Sequence, residues 1–158
     1  MDKSYLTLPE IAEILQMEEP ELYEELDKLK DNIKEYSAKK ATFIIENLGI
    51  RNKNKKVGEL TFPLPYQNGI LSFDIKLCVA LETLYIALKK ESEEIKIARI
   101  GIISESDKTA SASYDKTLMK NLKNCPFSNL KAYELVKKYI PKSFYMRWFY
   151  DFKWKIGI

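Results

Sequence analysis

Two short stretches carry the residue types that metal-assisted hydrolysis needs. Asp74-Ile75-Lys76 follows Glu59, and Glu94-Ile95-Lys96 follows Asp74. Two carboxylates brought together can hold Mg2+ while a lysine two residues on steadies an attacking water. Asp74, Glu94 and Lys96 are the residues that would carry such chemistry. The chain has no histidine. That removes Ser-His and Cys-His nucleophile pairs, the usual general base and the commonest transition-metal ligand. Cys78 and Cys125 form no CxxC pair and no metal spacing. Cys78 reads as a small core residue and Cys125 as a loop residue; reduced thiols fit a cytoplasmic protein.

Phosphate chemistry has one other foothold. Residues 104–117 hold Ser104, Ser106, Thr109, Ser111, Ser113 and Thr117 with Lys108 and Lys116. Hydroxyls, free N–H groups and lysines can cradle phosphate. Neither GxxxxGK[ST] nor GxGxxG occurs, so a polar loop is the simpler reading. No cofactor, resident metal or catalytic residue is expected. The acid and Asp/Glu-x-Lys spacing is similar to that of metal-dependent nucleases of the restriction-endonuclease type, a resemblance that implies Mg2+-dependent cleavage by Asp74, Glu94 and Lys96.

Charge divides the chain. Residues 1–30 contain nine acids and three bases, whereas residues 31–158 contain fourteen acids and twenty-three bases. An acidic head suits a basic partner and a basic body suits a polyanion. Twenty-three lysines against three arginines, with only five glycines, point to a low-GC genome such as that of a phage or mobile element. No apolar run is long enough to cross a membrane, and MDKSYLTLPE has no apolar signal region.

The elements that must position these groups are readable from periodicity. TLPEIAEILQ predicts a helix with Thr7 as cap, and EEPELYEELDKLKDN a second with Leu22, Leu26 and Leu29 on one face. A third, over 31–48, places Ile33, Tyr36, Lys40, Phe43, Ile44 and Leu48 near one stripe, and Gly49 stops it. Residues 7–30 resemble a helix-turn-helix: Glu10, Ile11 and Ala12 lie in the first helix, and Met17, Leu22 and Leu26 fall on core positions. In that family the second helix reads the major groove. Here it carries Glu18, Glu19, Glu21, Glu24, Glu25 and Asp27, which repel phosphates. The acidic face Glu18, Glu19, Glu21, Glu24 and Glu25 is therefore expected to dock a protein; a solvated acidic helix is the alternative.

RNKNKKVG, residues 51–58, reads as a basic linker, and Lys53, Lys55 and Lys56 as phosphate contacts or solvated charges. Beyond it, Leu60, Phe62 and Leu64, then Leu71, Phe73 and Ile75, alternate around Asn68-Gly69, which predicts a hairpin. LCVALETLYIALKK predicts a buried helix, EIKIARIGIIS a central strand and SNLKAYELVKKYI an amphipathic helix. The terminal KSFYMRWFYDFKWKIGI has a period of two: Phe144, Met146, Trp148, Tyr150, Phe152, Trp154, Ile156 and Ile158 lie on one face. A long core strand follows. Its open face would carry Tyr145, Arg147, Phe149, Lys153 and Lys155, aromatics interleaved with bases that can stack and neutralise single-stranded nucleic acid.

The fold class expected is α+β: a helical head over 1–50, the linker, and a body over 59–158 with a mainly antiparallel sheet and three helices. The function expected is that of a non-catalytic regulatory binding protein in nucleic-acid transactions, cytoplasmic and without membrane contact. Its head would dock a protein, and its body would contact nucleic acid or a nucleic-acid enzyme. The alternatives are the Mg2+-dependent nuclease and a protein inhibitor or assembly subunit that touches no nucleic acid.

Overall fold

A helix that is apolar on every side must be surrounded, and one such helix organises this chain. The computed structural model describes residues 3–56, 58–100, 104–106, 111–113, 122 and 125–141. Among them, α-helices run as α1 Leu8–Glu18, α2 Pro20–Asp27, α3 Asp31–Glu46, α4 Phe73–Leu88, α5 Glu93–Ile100 and α6 Leu130–Lys137. Helix α4 is the buried one. Ile75, Leu77, Cys78, Val79, Ala80, Leu81 and Leu84 are all enclosed, and α1, α2, α3 and α6 pack around them. The helices of residues 1–50 thus rest directly on α4.

Local chemistry sets the helix ends. Thr7 opens α1, its N–H donating to the Glu10 carboxylate at 2.8 Å, with Pro9 in the first turn. The α1–α2 junction is the single residue Glu19, and Pro20 then starts α2. Gly49, at φ 68°, follows the end of α3 in the left-handed conformation that glycine adopts without steric cost. Asn129 opens α6, its Oδ1 accepting from the Ala132 N–H at 2.8 Å.

Helix α3 meets α4 through its small residues. Ser37, Ala38, Ala41 and Thr42 are buried with Ile45 and Leu48. Small side chains let two helix backbones approach closely, the geometry this most extensive helix pair uses. Of the stripe expected to face inward, Leu48 is buried and Ile44 half-buried, but Lys40 is exposed and so are the larger side chains: Ile33 is 39% exposed, Tyr36 64% and Phe43 52%.

Among the described residues the mainly antiparallel sheet of the expected α+β body is not found, and they form a helical fold instead. The two strands present among them are β1 Ser104–Ser106 and β2 Ser111–Ser113, an antiparallel ribbon with Ser104 opposite Ser113. The expected hairpin over 59–75 fails for a physical reason. Its backbone groups are met by side chains rather than by a ladder: Asn52 Nδ2 donates to the Thr61 and Pro63 carbonyls at 2.7 and 3.1 Å, and the Thr61 N–H donates to Glu46 at 2.8 Å. The prolines remove further donors. The Asn68-Gly69 turn does form, both residues at positive φ, but it leads from a 3-10 turn at Pro65–Gln67 into α4. The expected central strand EIKIARIGIIS is α5 in its first part. Glu93 and Glu94 sit at its N-terminus and Arg99 in its last turn, matching the helix dipole. Ile95 and Ala98, three residues apart, are its buried positions. The strand expected at residues 142–158 lies outside the described residues.

Candidate interaction surfaces

The acidic head holds two kinds of carboxylate. Glu18 is paired with Lys131 of α6 at 3.0 Å, and Glu25 with Lys90 at 2.9 Å. These exposed pairs tie the end of α1 and the middle of α2 to the body and contribute little energy each. Glu19, Glu21 and Glu24 have no cation within pairing distance among the described residues. Glu21 and Glu24 are exposed on α2 and Glu19 is half-buried before it. At the last turn of α1, Met17 is 67% exposed; the core position that the helix-turn-helix resemblance implies for it is not one it occupies. Leu22 is half-buried and Leu26 buried. An apolar side chain among carboxylates is an arrangement suited to a basic, partly apolar ligand.

The basic segment is less free than its sequence suggests. Lys55 Nζ donates to Glu46 at 2.6 Å and to Thr61 Oγ1 at 3.0 Å. Tyr5 Oη also donates to Glu46, and accepts from the Phe62 N–H at 3.1 Å. Burial pushes the Glu46 carboxyl up, but hydrogen bonds from Lys55, Tyr5 and Thr61 outweigh it and hold the group below the ordinary carboxylate range. Burial, with the bond to Glu46, drives the Tyr5 hydroxyl far upward. Lys55 is thus a structural cation. Arg51, Lys53 and Lys56 stay exposed around an open groove with Asn52, Glu46 and Thr61. They are the cations of this region that remain available to phosphates.

The residues considered for metal chemistry fall on two helices. Asp74 lies in the first turn of α4 and is bound by Lys138. Glu94 lies in the first turn of α5, and Lys96 pairs with Glu93 at 3.6 Å. Asp/Glu-x-Lys is here a helix spacing, which splays the acid and the lysine apart instead of aligning them along a strand. No group of three or more ligating side chains able to hold a metal occurs among the described residues. A cleft of about 220 Å³ between α1, α2, α3 and α4, lined by Leu8, Tyr23, Leu26 and Thr83, is smaller than most small-molecule sites. Tyr145, Arg147, Phe149, Lys153 and Lys155 lie outside the described residues.

Sequence reasoning missed the buried acid Glu82. It sits on α4 with no exposure, and its carboxylate accepts from the Ser128 and Asn129 N–H groups at 2.8 and 3.0 Å. It therefore bonds the start of α6. Burial raises its pKa to about 7 against the pull of those two donors and of Arg99. A carboxylate inside an otherwise apolar helix was the signal that could have found it. Among the described residues no helix is long and apolar enough to cross a membrane. The chain matches no protein-family model, no curated protein and no solved structure.

Proposed function

We propose that the chain is a non-catalytic, regulatory binding protein in nucleic-acid transactions. Its α2 face docks a basic protein partner, and its 51–56 segment meets nucleic acid or an enzyme that works on it. The division among the head carboxylates carries the reading. Glu18 and Glu25 are paired with Lys131 and Lys90, whereas half-buried Glu19 and exposed Glu21 and Glu24, close along the chain to exposed Met17, have no internal cation among the described residues. Uncompensated like charges on one short helix cost stability, and a partner that supplies lysines or arginines relieves that cost. Arg51, Lys53 and Lys56 supply the opposite sign at a separate groove.

Capture from the native host tests the protein arm. Immobilised wild-type chain should retain a basic protein that Glu21→Lys/Glu24→Lys loses, while Glu18→Gln, which alters a structural pair, keeps it. Equal retention by wild type and the charge-reversed variant refutes the docking face. Anisotropy with labelled single- and double-stranded oligonucleotides tests the other arm. Binding should weaken steeply with salt and fall in Arg51→Glu/Lys53→Glu; no signal at low salt refutes it.

A further inference from the structure

The outward ridge of α3 has the geometry of a self-complementary surface. Its positions are Ile33, Tyr36, Lys40, Phe43 and Asn47, spaced three, four, three and four residues apart. That alternation is the seam of a two-helix coiled coil. It runs along a helix of about 24 Å, and its three large apolar side chains are all exposed. Opposite them, the same helix buries small residues against α4. Exposed apolar side chains aligned on one ridge, rather than scattered singly, mark an interaction surface.

The ridge reads alike from both ends about residue 38. Laid against a second α3 running the opposite way, Ile33 meets the other copy's Phe43, and Tyr36 meets the other copy's Lys40. The first contact is apolar; the second places an ammonium over an aromatic face, and the two-fold axis makes each contact twice. On the flank, Glu35 falls beside the other copy's Lys39. Neither Tyr36 nor Lys40 has an ion pair, hydrogen bond or ring contact among the described residues, so both are available. We infer that the chain forms a two-fold dimer through the antiparallel apposition of two α3 helices. One helix from each copy makes a contact of limited extent, and contacts at the small end, below about 1,200 Å², are commonly weak and transient, so a reversible dimer is expected. It uses a face separate from the carboxylates of α2 and does not depend on the function proposed above.

Sedimentation of the whole chain from about 1 μM to 1 mM tests this. The weight-average mass should climb from 18.5 kDa toward twice that value, and Phe43→Glu should hold it at the monomer with an unchanged helical circular dichroism spectrum. Because Phe43 is exposed, that variant keeps its core. Cysteine cross-linking tests the register. Lys39→Cys lies next to the axis and should give a disulfide dimer, whereas Ile33→Cys faces Phe43 and should not. A chain that stays monomeric throughout the series overturns the inference. So does a dimer that survives Phe43→Glu, or one that cross-links through Ile33→Cys.

Discussion

Glu82 should make this protein lose stability as pH rises from mildly acid to neutral, the reverse of ordinary acid denaturation. The carboxyl is fully enclosed, and its folded pKa of about 7 exceeds the ordinary 4.5. The folded state therefore binds the proton more tightly than the unfolded chain. The protonated group's contribution is complete below about 4.5 and is lost as pH climbs through about 7. A shift of that size corresponds to about 3 kcal/mol across the window. The carboxylates whose pKa is lowered, Glu10 and Glu46, act the other way and lower down, their contribution disappearing as pH falls below about 4.5. The two limbs are thus separable. Urea unfolding at half-unit steps from pH 5 to 8 should show the decline in wild type. Glu82→Gln retains an acceptor for the Ser128 and Asn129 N–H groups but cannot ionise, so its profile should be flat by comparison. Parallel profiles for the two proteins over that range would show that the buried carboxyl does not titrate as its surroundings imply.

Glu46→Ala strands the Tyr5 hydroxyl, the Thr61 N–H and Lys55 together and should cost about 2–3 kcal/mol in urea unfolding, with no comparable loss in Lys53→Ala. Ala41→Leu forces a large side chain into the fully buried α3–α4 contact and should destabilise by about 1–3 kcal/mol, measured as a fall in the denaturation midpoint. Cys78 and Cys125 are buried, with burial raising the Cys125 thiol to about 12 and Cys78 well above its usual value. At pH 8 both should resist a thiol reagent in the native chain and react at once in denaturant.

The helices were readable where periodicity and end signals agreed. Thr7, Pro9 and Glu10 mark the start of α1, and the all-round apolarity of residues 77–88 marks α4 as buried. The alternation over 60–75 misled because a period of two in a proline-containing stretch does not require a strand. Once Asn52, Glu46 and Gln67 supply hydrogen bonds to that backbone, an irregular path serves equally well. Ile95, Ile97 and Ile100 suggested β-propensity, but Ile95 and Ala98 at helical spacing found the core and tertiary packing decided the issue. In the candidate sites, composition showed that the head is acidic. It could not show which carboxylates meet Lys90 and Lys131, because those partners lie far away along the chain.

The inversion of α3 follows from α4. A helix that must be covered on all sides leaves little room for its neighbours, and the one that approaches it most extensively does so with Ser37, Ala38 and Ala41. Large side chains on α3 then fit mainly on its far side, where Ile33, Tyr36 and Phe43 stand. The apolar stripe that normally identifies a helix's inner face here runs largely along the outer one, with only Ile44 and Leu48 of it reaching the core. Hydrophobic periodicity reports that a face wants covering, but it does not say by what. In α3 the inward cover is α4 and the outward cover is assigned to a second copy. One buried helix thereby dictates both the core of the monomer and the surface on which it would pair.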